Sequence, residues 1–222
     1  MGERENGRPG EHDPHLRVVT ISATYGAGGS RIAPMLAQRL GLPFADRLIP
    51  ADNAAPLGVG TERLSDEERE QYRRTRFFAR LAAITGGLGM PVPSPETVGG
   101  DVRDSVEASI YQEIQPDGAV ILGRAASIVL AAHPRAFHVR LDGPKQRRLQ
   151  RGMAFEHIDE ATARARLEET DRARARYVER VYGADPSDPT RYHLTIDSTA
   201  LSAATCVDVI VLAAGAFWGP PE

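Results

Sequence analysis

The chain of 222 residues holds a single cysteine, Cys206, which excludes an intramolecular disulfide framework. No window supplies the roughly 18 consecutive apolar residues of a membrane-spanning helix. An excess of either charge is also missing. The 27 basic and 30 acidic residues leave a net charge of −3, which argues against a broad nucleic-acid or membrane footprint while permitting a local basic pocket. Met1 to His15 lacks the apolar core of a secretory signal, and its Gly, Glu and Arg content predicts a disordered tail over 1–15 and a cytoplasmic location. The histidines at His12, His15, His133, His138, His157 and His193 show no zinc-ligand spacing. A Gly-x-Ser-x-Gly elbow of the hydrolase type is absent, as is any internal repeat.

What is present suits a globular α/β protein. An apolar content of 41% is enough for a core. Short apolar runs predict strands at Val18–Ile21, Ala119–Leu122, Ala136–Leu141 and His193–Asp197, with a further short extended piece around Leu42–Phe44. Helical spacing falls between them. Ile32, Met35, Leu36 and Leu40 lie on one helix that Gly41 closes, with Pro34 near its start. A capping-box pattern at Ser65–Glu68 opens a helix to about Thr85. Further helices are predicted over 101–114, after Gly123-Arg124 to Leu130, over 144–151, from Asp159 to Gly183, and from Ser202 to about Leu212. Strands alternating with helices, and reading as continuous apolar runs, argue a mostly parallel sheet covered on both faces. One domain is expected over 16–214, with a mobile helical segment inserted over 50–117 and a tail over 215–222.

The sequence Ala23-Thr24-Tyr25-Gly26-Ala27-Gly28-Gly29-Ser30 lies between the first strand and the first helix. Glycines let backbone amides approach a phosphate, and the helix adds its positive N-terminal end. A tight turn holding no ligand is the bland alternative. Against the full phosphate-loop pattern, Ala23 stands where the first Gly belongs, Gly28 matches the second, and Ser30 matches the metal-binding hydroxyl. Gly29 stands where the Lys belongs, so positive charge for catalysis must come from elsewhere.

These residues resemble the opening of the cytidylate kinase-like family, together with Ile32-Ala33 and Leu36 to Phe44. That family also tends to carry Gly rather than Lys in its loop. Val120 to Ala126 resembles its second block, and His138 to Leu141 with Arg147, Arg148 and Arg151 its third. Asp171 to Tyr177, Tyr182-Gly183, Asp188-Pro189 and Tyr192 to Ser198 resemble its closing portion. The resemblance implies a three-layer fold of the P-loop NTPase type with helical monophosphate-binding and lid-like segments. It implies ATP and Mg²⁺ as cofactors, with Tyr25, Gly26, Ala27, Gly28, Gly29, Ser30 and Arg31 holding the nucleotide and Ser30 the metal. It further implies a small-molecule nucleotide acceptor near Asp46 and Arg47, with no nucleic-acid or membrane partner. Oligomeric state is not legible.

For catalysis, the resemblance points to Arg124 on the acceptor phosphate, Arg147 and Arg151 in a lid, and Asp171 with Arg174 gripping the nucleotide. Arginine suits this because its planar fork binds two phosphate oxygens at once. The structural alternatives are a strand-end salt bridge for Arg124, a solvated helix face for Arg147, Arg148 and Arg151, and a local turn pair for Asp46-Arg47. Leu122 and Ala125 stand where cytidylate kinases proper carry Asp. Arg172, Arg176 and Arg180, four apart, read as a surface stripe. Cys206 reads as a small buried hydrophobe. Two functional classes follow: a kinase that phosphorylates a nucleoside monophosphate such as CMP or another small acceptor, and a degenerate nucleotide-binding or regulatory protein without kinase activity.

Overall fold

A computed structural model describes residues 16–45, 95–114 and 117–219. Its strands are β1 (Arg17–Ala23), β2 (Phe44–Ala45), β3 (Gly118–Leu122), β4 (Ala136–Asp142) and β5 (Leu194–Asp197). Among the described residues they form one sheet in the order β2-β3-β1-β4-β5, with every neighbouring pair parallel. The helices are α1 (Gly29–Leu40), α2 (Pro95–Glu113), α3 (Ala126–Val129), α4 (Lys145–Glu156), α5 (Glu160–Tyr182) and α6 (Ala203–Trp218).

The apolar strand runs exist because both faces of the sheet are covered. On one face Val19 and Ile21 of β1 and Val139 and Leu141 of β4 meet Ile32 and Leu36 of α1 and Cys206 and Ile210 of α6. On the other, Val18, Ala119 and Ile121 meet Val106 and Ile110 of α2 and Leu130. Burial of each such aliphatic side chain contributes roughly 1.5–3 kcal/mol. Cys206 is buried within the first of these clusters.

Helix ends follow local chemistry. Gly41 takes the left-handed conformation, φ 66°, that ends α1. Asp159 accepts the Thr162 amide at 3.0 Å to cap α5, and Gly183 closes it at φ 60°. Three helix boundaries lie well away from the sequence expectation. Helix α2 begins at Pro95 rather than 101, since proline is suited to a first helical position, where its missing N–H costs nothing. Helix α4 continues past Arg151 to Glu156 because Leu149 and Met153 pack with Tyr25 and Leu167. Helix α6 continues past Leu212 to Trp218, into the expected tail. The indole N–H of Trp218 donates to the Arg135 carbonyl at 2.9 Å, and Arg135 donates back to the Trp218 carbonyl at 3.0 Å. The predicted tail over 1–15, the helix from Ser65 to Thr85 with its flanking loops, and Asp46 and Arg47 lie outside the described residues.

Candidate functional site

The glycine loop leaves β1 at the carboxyl edge of the sheet, beside the ends of β3 and β4. Gly26 and Gly28 both have positive φ, 75° and 77°. A Cβ on Gly26 would lie 2.1 Å from the Arg148 carbonyl oxygen, so only glycine fits there. Gly28 is uncrowded: a Cβ there would make ordinary contacts with Ile32 Cδ1 at 3.7 Å and Arg151 Nη1 at 3.9 Å. The helical ladder of α1 begins with the Arg31 and Ile32 amides on the Gly28 carbonyl, at 3.0 and 2.9 Å. The preceding amides of this first turn therefore have no acceptor within the helix. Together with the helix dipole they form an anion-receptive end.

The loop is tied down from several sides. The Tyr25 amide donates to Asp171 Oδ1 at 2.8 Å. Arg148 Nη1 donates to Asp171 Oδ2 at 2.6 Å and to the Tyr25 carbonyl at 3.1 Å. Arg174 Nη1 donates to the Ala23 carbonyl at 2.9 Å. The Ser198 hydroxyl donates to the Ala27 carbonyl at 2.7 Å. Arg151 in turn holds the Ser198 and Leu201 carbonyls at 2.7 and 3.0 Å. Hydrogen bonds to charged groups contribute about 1.5–3 kcal/mol each, so the cradle is fixed before any ligand arrives. Asp171 thus spends both carboxylate oxygens on the loop and its arginine.

Asp142, at the end of β4, is a second such anchor. It accepts the Thr24 hydroxyl at 2.9 Å, Arg140 Nη2 at 2.8 Å and the Gly143 amide at 2.9 Å. Burial would raise its pKa, but the bonds from Arg140, Gly143 and Thr24 outweigh that and hold it below the usual carboxylate range. Sequence reasoning missed Asp142 and Ser198. It also missed Gly152, where a Cβ would come within 2.5 Å of the Tyr25 ring.

Arg124 leaves β3 through a strained turn. Gly123, Arg124 and Ala125 all have positive φ, and the two non-glycine residues cost roughly 1–2 kcal/mol each. The Arg124 side chain is only 2% exposed and meets both carboxylate oxygens of Glu113 at the end of α2. The salt-bridge alternative for Arg124 therefore has a partner, Glu113. Arg147 turns away to Asp197, at 3.2 Å, and does not line the cleft; Arg148 is the member of that pair that reaches the loop. Ser30 and Arg31 stand exposed at the start of α1. Arg176, read as surface from its spacing, lines the same cleft as the glycine loop, as do Arg172 and Arg180. The stripe flanks the face of α5 that carries Asp171 and Arg174, and this brings it to the cleft wall.

The cleft encloses about 2060 Å³, against roughly 300–1,000 Å³ for a single-ligand pocket. Among the described residues, no group of three His, Cys, Asp or Glu could hold a metal ion. A cation here would take most of its ligands from water and phosphate, as Mg²⁺ commonly does. The exposed Ser30 hydroxyl fits that role as a single hard donor. No helix among the described residues is long and apolar enough to cross a membrane.

The model of the cytidylate kinase-like family matches residues 18–200. A solved structure of an uncharacterised protein from Eubacterium ventriosum superposes with a TM-score of 0.58 at 19% identity, covering 88% of this chain and 96% of that one. A gluconokinase from Sinorhizobium meliloti covers 90% and 92% at 16% identity, with a TM-score of 0.47. A curated uronate isomerase from Corynebacterium glutamicum is 28% identical over 95 residues, 43% of this chain. The chain spans only 18% of the length of that relative.

Proposed function

Because the chain belongs to the cytidylate kinase-like family, we propose that it transfers the γ-phosphoryl group of ATP to a nucleoside monophosphate such as CMP. The observation that carries this reading is the pre-formed glycine cradle at the carboxyl edge of a parallel sheet, opening into a cleft with arginines on α1, α4 and α5 and at the ends of β3 and β4. Ligands of open α/β sheets bind at that edge. Phosphoryl transfer asks chiefly for positioning and positive charge.

In this reading the segment Tyr25 to Arg31 receives the donor phosphates on its remaining backbone amides, since those of Tyr25, Ala27 and Arg31 are held by Asp171, the Thr24 carbonyl and the Gly28 carbonyl. Arg151, whose guanidinium lies beside Gly28, contributes charge that Gly29 cannot. Arg124 receives the acceptor phosphate, and Asp171 and Arg174 keep the cradle in shape. The acceptor phosphate is already a nucleophile at neutral pH, so no general base is needed for in-line attack. Mg²⁺, when bound, would neutralise charge on the phosphate oxygens, and Ser30 is the residue that would hold it.

The test is a coupled ADP-release assay across a panel of nucleoside monophosphates, run beside nucleotide-binding calorimetry. Turnover with at least one monophosphate, abolished by EDTA, is the expected result. Tight ATP binding with no turnover on any member would replace this reading with that of a nucleotide-binding regulatory protein. Two observations favour that second reading: Gly29 in place of the loop Lys, and the Arg124 fork already occupied by Glu113.

A further inference from the structure

Arg124 is buried, and its two Nη groups are held by an internal anion. Nη1 donates to Glu113 Oε1 at 2.8 Å and to the Ser109 hydroxyl at 3.2 Å, while Nη2 meets Glu113 Oε2. This is the two-point geometry in which arginine also binds phosphate. A buried guanidinium without a counter-ion is costly, so Arg124 needs an anion at all times. The two partners differ in their access to water: the Glu113 side chain is 35% exposed, against 2% for Arg124. Glu113 can therefore leave for solvent, whereas Arg124 cannot.

The Nε–H of Arg124 is buried and has no hydrogen-bond partner. A carboxylate has two oxygens, and both are already used. A phosphate monoester offers three terminal oxygens and, at neutral pH, close to two charges. Arg124 and Ala125, both left-handed, border the cleft that holds the glycine loop, while Ser109 and Glu113 lie behind its lining. Strain of this kind persists where the surroundings over-determine it, and it clusters at ligand sites.

We infer that Glu113 is an internal competitor for the acceptor: it occupies the Arg124 fork in the free protein and is displaced by a phosphate monoester dianion. This rests on the assignment of Arg124 to the acceptor phosphate. It adds an affinity-setting residue on α2. A monoanion, such as a phosphodiester or a carboxylate, matches Glu113 in charge and displaces it poorly. A dianion with a third oxygen exceeds it in both charge and acceptor count. The site therefore selects terminal phosphate monoesters.

The experiment uses the full chain and measures binding of inorganic phosphate, dimethyl phosphate and CMP by calorimetry. Wild type is compared with Glu113→Gln, Arg124→Ala and the double variant. Glu113→Gln should tighten phosphate and CMP by about tenfold, which is the worth of one lost competing charge-assisted bond. Dimethyl phosphate should gain by the same factor, because removing the competitor frees the fork for every anion alike. The gain must vanish in the double variant, which should bind no better than Arg124→Ala. Unchanged or weakened phosphate affinity in Glu113→Gln would instead make the pair a strut that holds α2, and so overturn the inference. A gain that survives in the double variant overturns it equally.

Should Glu113→Gln fail to fold, Glu113→Asp retains the charge but shortens the reach. It should tighten phosphate by about threefold, and no gain in that folded variant refutes the role. The two readings separate cleanly. Tightened phosphate without ADP release on any monophosphate leaves Glu113 a competitor at an anion site and removes the kinase. Normal turnover with an unmoved KM in Glu113→Gln keeps the kinase and removes the competitor.

Discussion

At the residue scale the glycine loop separates two positions that look alike in sequence. Gly26 and Gly28 share a positive φ, but only Gly26 has a carbonyl oxygen where a side chain would go. Gly26→Ala should therefore push Arg148 off Tyr25 and Asp171. It should lower stability by about 2 kcal/mol or more and abolish ATP binding. Gly28→Ala meets only backbone strain, about 1 kcal/mol, and should keep a weakened site. Chemical denaturation and ATP calorimetry on both variants check the contrast; equal effects would mean that the contact with Arg148 is immaterial. Asp171 gives a second residue-scale test. Asp171→Asn keeps one acceptor but loses the charge facing Arg148, so nucleotide affinity should fall about tenfold with the fold retained. An Asp171→Asn protein with wild-type ATP affinity would remove it from the positioning role. The loop itself was legible in the sequence because strand, glycines and helix are adjacent along the chain. Its anchors were not. Thr24 and Asp142 are 118 positions apart, and Ser198 and Ala27 are 171 apart. No local pattern links such pairs; only the parallel sheet, which stacks the ends of β1, β4 and β5 side by side, brings them together.

At the element scale, legibility followed local signals. The long α5 was bounded correctly because Asp159 and Gly183 act within one turn of its ends, through a side-chain cap and a left-handed residue. The end of α6 was misplaced because nothing local marks it; the helix runs on to bury Trp218, and that burial depends on Arg135, 83 positions away. The arginine stripe shows the same division. Spacing placed Arg172, Arg176 and Arg180 on one face but could not say that this face borders the cleft. Arg176 is therefore unsuited as a silent control, and Arg164, paired with Glu160 one turn away and outside the cleft, serves instead. In the kinase reading, Arg174→Ala should lower turnover by at least tenfold. Arg174→Lys should recover only part of it, since an ammonium cannot reproduce the fork. Arg164→Ala should stay within about twofold of wild type, because an exposed i,i+4 pair contributes only about 0.3–0.5 kcal/mol. Steady-state kinetics on the three variants decide the matter, and a fully active Arg174→Ala would exclude this arginine from the site.

At the scale of the whole molecule, the sheet carries a pH-sensitive element away from the cleft. His138 sits in the middle of β4. Its Nδ1 lies 2.8 Å from the Thr20 hydroxyl of β1, and its amide donates to the His193 ring at 2.9 Å. The two imidazoles stack with centroids 5.0 Å apart. Burial, with the nearby charge of His193 next, pushes the pKa of His138 down to about 4. In the unfolded chain the ring takes up its proton near pH 6.5. Between these values the unfolded state binds more protons than the native state, so stability rises with pH across that window. The contribution is fully present above about pH 6.5 and is lost as the pH falls toward 4. Its full size is on the order of 3 kcal/mol. His193, also lowered by burial, adds in the same direction. A domain of this size loses about 2–4 °C of melting temperature per kcal/mol, so a fall of roughly 5–10 °C between pH 7 and pH 4.5 is expected. His138→Gln removes the titration and should flatten that slope while lowering stability at pH 7, where the neutral imidazole packs best. Thermal melts of both proteins across the pH series read this directly. A wild-type curve that is flat from pH 7 to 5, or a variant slope equal to the wild-type slope, would mean that the proton is taken up elsewhere. Protonation of His138 thus weakens the sheet that supports the glycine loop, and in the kinase reading loss of ATP binding between pH 6.5 and 4 should track unfolding.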